Sequence, residues 1–305
     1  MKFSVWGIAI LLSILLLGCA AQREVEMTDP ITTVVTTEAT TIPPETTEPL
    51  NGWVEENGFR YYYEKGIPAI GWLELEGDTY YFREDGTMAT GEVRIDDSAY
   101  HFTSQGKRVI MVNPWNYIPA DYEPDLVALP AAYGVEGSLV DSICYDALIA
   151  MITECNAVCP TAYVVSSYRT LEHQTNNYNN KVMFYRNQGY DEQTAKQKAA
   201  TSIAIPGTSE HQLGLAVDIT DYSYRELDYE QEKTATQKWL MEHCWEYGFI
   251  LRYPSEKSTI TGIIYEPWHY RYVGLELSQE LKELGICLEE YMDMLTGDGT
   301  TCGGT

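Results

Sequence analysis

Apolar positions follow four different rules along this chain of 305 residues. From Val5 to Leu17 they are nearly continuous behind Lys2. That run is too short to span a bilayer as a stable helix. Over 19–50 they thin out among Thr, Pro and Glu, a composition that cannot bury enough surface to offset chain entropy, so this stretch reads as a solvated tether. Between Gly52 and Arg108, aromatic clusters recur with a period of about 20: Tyr61-Tyr62-Tyr63, Tyr80-Tyr81-Phe82 and Tyr100-His101-Phe102. Gly52-Trp53, Gly71-Trp72 and Gly91-Glu92 open the units, and Gly66, Gly86 and Gly106 close them. Such spacing predicts short hairpins over 51–110, each too small for its own core and so dependent on stacking.

From about Pro114 the pattern is mixed and extends to residue 292, a normal single-domain length, followed by a tail over 293–305. Val140, Ile143, Cys144, Ala147, Leu148, Met151, Ile152 and Cys155 fall at helical spacing, which predicts a helix from Ser138 with Asp141 as its capping partner. A strand is expected at Ala162–Ser167, then a polar helical region over Asn176–Ser202, interrupted near Gly189 and closed by Pro206-Gly207. Further strands are expected at Leu215–Ile219, Phe249–Arg252 and Ile263–Tyr265, and helices at Thr234–Tyr247 and Ser278–Leu284. Strands and helices do not alternate as βαβ units, so the expected class is α+β with an antiparallel sheet, preceded by a small all-β hairpin repeat.

The N-terminal run has the size of a signal-peptide core over 1–18, and it ends in Leu16-Leu17-Gly18-Cys19, which resembles the lipobox of bacterial lipoproteins. That resemblance implies lipidation of Cys19 and a mature protein at the cell surface, anchored to the membrane through lipid alone. A net charge of −25 argues against nucleic acid, since no basic surface is available to displace counterions from phosphates. Cys144 and Cys155 read as core thiols, and Cys155-x-x-x-Cys159 lacks a second ligand pair for a zinc site.

The chemistry concentrates in Ser209-Glu-His-Gln-Leu-Gly-Leu-Ala-Val-Asp218 and Glu266-Pro-Trp-His269. In a strand, Leu215, Val217 and Ile219 point one way while Asp218 points the other, into a cleft. A carboxylate there is costly without a partner. His211 precedes it, and Gly214 lets the chain turn so that the two side chains converge. With His269 they make three ligands and an open fourth position, as catalytic zinc requires. Glu266 is the natural general base for water. Arg252 and Arg271 are expected to pair with acidic neighbours.

These two segments, together with Ser167-Tyr-Arg-Thr-x-x-x-Gln174, Gly248-Phe-Ile-Leu-Arg-Tyr253 and Trp268-His-Tyr-Arg-Tyr-Val-Gly274, resemble the D-Ala-D-Ala carboxypeptidase family of the VanY and L,D-carboxypeptidase type. The resemblance implies the hedgehog-like, D-Ala-D-Ala metallopeptidase α+β core, with zinc on His211, Asp218 and His269 and Glu266 as base. It implies that Arg169 steadies the oxyanion or the peptide carboxylate, that Gln174 and Ser209 hydrogen-bond the terminal residue, and that Tyr253 and Trp268 shape the pocket. The expected substrate is the peptidoglycan stem peptide, cut to release its C-terminal D-alanine with either D,D or L,D specificity. A cross-bridge endopeptidase and a non-catalytic wall-binding lipoprotein are the alternatives. The repeats resemble the choline-binding-type repeats of Gram-positive surface proteins. In those repeats aromatic cages take choline or glycan; the alternative is that these aromatics only pack the repeat.

Overall fold

The computed structural model describes residues 49–296 except Asp97 and Pro160. The expected signal segment, Cys19, nearly all of the tether and residues 297–305 of the tail lie outside the described residues. No described helix is long and apolar enough to cross a membrane.

The repeats form hairpins as their aromatic period predicts. Gly52–Glu56 pairs with Phe59–Glu64, Gly71–Leu75 with Asp78–Phe82, and Gly91–Ile95 with Ser98–Phe102, all antiparallel. The first turn is Asn57-Gly58, both at positive φ (54° and 80°), the two-residue loop whose twist suits a hairpin. Trp53 packs on Tyr62 of its own hairpin and on Tyr80 and Phe82 of the next. Trp72 repeats the arrangement with Tyr81, Tyr100 and Phe102. Each set carries an arginine over a ring, with Arg60 at 4.3 Å from the Trp53 centroid and Arg108 at 4.8 Å from that of Tyr100.

The second part is built on an antiparallel sheet. Its strands are β1 (Ala162–Ser166), β2 (Ala216–Asp221), β3 (Phe249–Leu251) and β4 (His269–Tyr272), in the order β1-β2-β4-β3. β2 is buried along its whole length between two neighbouring strands, and helix α1 (Ser142–Val158) packs on β1. Cys144, Leu148, Met151, Ile152 and Cys155 of α1 enter a common core with Val164, Val217, Ile219, Leu240 and Tyr270. The described cysteines are free thiols, and burial pushes those of Cys144 and Cys155 up to about 12. Helices α2 (Leu171–Asn187) and α3 (Glu192–Ala200) pack on each other, α4 (Ala235–His243) follows β2, and α5 (Leu275–Leu284) and α6 (Leu288–Thr296) close the chain.

Several boundaries differ from expectation. The first helix begins at Ser142, because Leu139–Asp141 pairs with Leu126–Ala128 in a small sheet, leaving Asp141 to cap Ile143 N at 3.1 Å. The helical region expected over 176–202 starts earlier, at Leu171, while its break falls near Gly189 as expected, between two helices capped by Thr170 and Asp191. No strand forms at Ile263–Tyr265; Ile264 N instead donates to the Thr201 carbonyl beyond α3, and sheet pairing waits until His269. The last expected helix starts at Leu275, and α6 runs through the expected boundary at 292. Leu277, Leu281, Leu288, Tyr291 and Met292 of α5 and α6 form a second core with Val109 and Met111, which leave the third hairpin.

Candidate active site

Strand register sets the geometry. Asp218 on β2 lies directly opposite His269 on β4, so their side chains stand on one face at cross-strand distance. On the other flank, a bulge between Val164 and Ser166 brings Ser166 opposite Asp218. His211 arrives from the short 3₁₀ turn Glu210–Leu213, ended by Gly214 at φ 73°. A Cβ at Gly214 would stand 2.9 Å from Asp141 N, so this turn fits only glycine. The turn is pinned to the segment that follows β1: Arg169 N donates to the His211 carbonyl at 3.0 Å, and His211 Nδ1 meets the Ser167 carbonyl at 2.8 Å.

That last contact places the His211 proton on Nδ1 and leaves Nε2 bare, 3.3 Å from Asp218 Oδ2. His269 Nδ1 lies 3.0 Å from Asp218 Oδ1. Among the described residues, His211, Asp218 and His269 are the group that could hold a metal ion, with ligand atoms within 4.8 Å of one another and all three side chains buried. Electrostatics suit a cation. Burial and the neighbouring Arg169 guanidinium pull His211 down to about 4, which keeps its imidazole neutral. Burial also works against a charged His269, but Asp218 and Glu210 outweigh it and raise that imidazole to about 9, so its surroundings favour positive charge. Burial opposes ionisation of Asp218 too, yet His211 and His269 hold its carboxyl well below the usual range.

Glu266 faces the same spot, 3.8 Å from His269 Nδ1, and burial lifts its carboxyl to about 8, with Asp218 and Glu210 adding to the rise. Arg169 is fixed rather than free. Its Nε and Nη2 donate to Ser166 Oγ, Nη2 also donates to Asp218 at 3.0 Å, and Nη1 makes only a long contact of 3.4 Å with Gln174.

A cavity of about 230 Å³ opens over these groups, lined by Arg169, Ser209, His211, Asp218, Tyr253, Glu266, Trp268 and His269. Its outer wall is largely apolar, with Ile203, Ala204, Leu227, Ile263 and Ile264, and includes Lys181. The Tyr253 ring lies 4.9 Å from that of His269. Gln174, expected to touch substrate, does not line the cavity. It is fully buried, with Nε2 spent on the Ala204 carbonyl at 2.7 Å and Oε1 facing Arg169, so it braces the wall and the arginine instead.

The sequence reading missed Glu210, Ser166 and Lys181. Lys181 could have been found seven residues after Gln174, on the same face of α2. Glu210 could have been found as the acidic partner sought for Arg252 and Arg271, both of which it binds at 2.8 Å. Ser166 depends on the bulge, which leaves no mark in the residue pattern.

A family model described as D-alanyl-D-alanine carboxypeptidase (VanY) matches residues 137–275, and one described as a putative cell wall binding repeat matches residues 70–88. The D-alanyl-D-alanine carboxypeptidase of Enterococcus faecalis is 38% identical over 210 residues, covering 69% of this chain and 72% of the relative. Among solved structures, a vancomycin-resistance D,D-pentapeptidase VanY in complex with Zn(II) is 41% identical, with a TM-score of 0.53 over 60% of this chain and 97% of that one. The LdcB LD-carboxypeptidase is 34% identical, with a TM-score of 0.53 over 60% of this chain and 84% of that one.

Proposed function

We infer the work of this cavity from the premise that the chain belongs to the D-alanyl-D-alanine carboxypeptidase (VanY) family. It is a zinc-dependent carboxypeptidase that removes the C-terminal D-alanine from peptidoglycan stem peptides, with D,D or L,D specificity, and it acts outside the cell, a location that the match to a cell wall binding repeat supports. The observation that carries the mechanism is the register placing Asp218 opposite His269, with His211 and Glu266 turned to the same point.

In this reading His211 and His269 hold zinc through nitrogen and Asp218 through oxygen. Zinc bound there supplies Lewis acidity, polarising a carbonyl and making water acidic enough to attack near neutral pH. Glu266 takes the proton from the attacking water and passes it to the departing amine of D-alanine. Arg169, which lines the cavity, receives the substrate carboxylate or the developing oxyanion, while Ser166 and Asp218 fix the guanidinium plane. Ser209 hydrogen-bonds the terminal residue, the apolar wall accepts its methyl group, and Tyr253 and Trp268 close the sides. Gln174 acts behind Arg169 rather than on substrate. Cys19 carries a lipid that keeps the domain at the membrane. The repeats hold the enzyme against a wall polymer, choline-bearing or glycan.

Soluble protein from about residue 50 onward, incubated separately with stem pentapeptide and tetrapeptide, tests the reading by mass spectrometry of the products. Loss of one alanine from the pentapeptide alone assigns D,D specificity, and loss from the tetrapeptide assigns L,D. Absence of release that responds to a chelator and to Glu266→Ala would sink it.

A further inference from the structure

Among the described residues, a set of nearly fully buried charges that includes Glu210, at the edge of the cavity, takes no part in the mechanism above. Glu210 is 1% exposed, and its Oε1 accepts from both Arg252 Nε and Arg271 Nη1 at 2.8 Å. Arg252, with no exposed surface, makes a bidentate pair with Glu289 of α6 through Nη1 and Nη2 at 2.8 and 2.6 Å. Arg271 Nη2 donates to the Ile110 carbonyl at 3.0 Å. Two arginines thus face two carboxylates, and the formal charge of the set is zero. Removing one member of such a set is costly, but the set itself is weak support for stability compared with apolar residues of the same volume. Its presence calls for another reason.

Because both arginines take Oε1, the second oxygen of Glu210 is aimed elsewhere. Oε2 lies 3.5 Å from His269 Nε2, and each of these two buried atoms lacks any closer hydrogen-bonding partner. The other nitrogen of that ring, Nδ1, faces Asp218. A neutral imidazole that offers Nδ1 to a metal must carry its proton on Nε2, and a carboxylate in front of Nε2 selects that tautomer and makes Nδ1 a better donor.

We propose that Glu210, oriented by Arg252 and Arg271, is a positioning residue that fixes the tautomer and ring plane of His269 for metal binding. The inference rests on His211, Asp218 and His269 being the zinc ligands. Glu210→Gln removes the second acceptor: with its carbonyl held by the arginines, the amide NH₂ turns to the imidazole N–H, donor against donor.

The test measures zinc affinity of the wild-type chain from about residue 50 onward and of Glu210→Gln by competition with a chromophoric chelator, with circular dichroism checking the fold of each. A folded variant should bind zinc about 10–100-fold more weakly, the range typical of losing a hydrogen-bond partner behind a metal-ligating histidine. Affinity within about threefold of wild type in a folded variant overturns the proposal, because a purely structural glutamate would leave it there. Long-range ¹H–¹⁵N spectra of the zinc-loaded wild-type protein decide the matter even if the variant does not fold. A His269 ring with its proton on Nε2 supports the proposal, and a ring ligated through Nε2 overturns it. Failure of the wild-type protein to bind zinc removes the premise about the ligands, and the proposal with it. Wild-type binding matched by the variant defeats the proposal about Glu210 alone.

Discussion

At the scale of single residues, the proposed mechanism separates holding a metal from moving a proton. Glu266 lies in the cavity without belonging to the set of three ligand atoms. Glu266→Gln keeps the shape and removes the proton carrier, so kcat should fall by about 10²–10⁴-fold while zinc content stays at one ion per chain. Peptide turnover and metal analysis on the same preparation check both halves. If activity and zinc are lost together, Glu266 is a ligand and not a base. Glu266 and His269 were legible as a pair in the sequence because both carry chemistry and stand three residues apart. Gln174 was misread for the opposite reason: an amide in a motif looks like a substrate contact until the fold spends it on a backbone carbonyl.

Among the elements, β2 does the most. It presents Asp218 to the cavity and ends in Asp221, whose carboxylate accepts from Ser223, Thr161 and Thr236 and so ties the strand to β1 and the start of α4. Burial opposes ionisation of Asp221, but these hydrogen bonds win and hold its pKa below the usual 3.8. A depressed carboxyl stabilises the fold above its unfolded pKa, and that contribution fades as pH falls through the folded value. Asp221→Asn should therefore cost about 1–3 kcal/mol at neutral pH, with the gap from wild type narrowing below about pH 4 in urea titrations. A gap that does not change with pH would show that the charge plays no part. The strands β1, β2 and β3 were readable from apolar alternation to within a residue or two. The stretch at 263–265 was not, since an apolar run with the composition of a strand cannot reveal that its backbone bonds go to Thr201. The start of α1 was displaced by a pairing with residues 126–128, a long-range choice that local capping signals do not encode.

Over the whole molecule, the hairpins and the sheet domain are joined by more than a linker. Lys107 Nζ bonds Asp78 of the second hairpin and Glu276 of α5, both at 2.8 Å. All three side chains are partly exposed, so Lys107→Met should lower stability by only about 1 kcal/mol, less at high salt. Denaturant midpoints in low and high salt check this, and a loss above about 3 kcal/mol would mark the contact as buried in solution. The aromatic stacking of the hairpins has a further consequence. Each tryptophan reaches forward onto the Tyr and Phe of the following unit, and the third unit has Glu92 in that place. Tyr61 and Tyr63 of the first unit, equivalent to Tyr80 and Phe82, have no tryptophan stacked on them among the described residues. The array therefore has a head and a tail: duplication of a 20-residue segment, about one repeat long, can extend it only at its N-terminal end, where each new unit would find its socket already built.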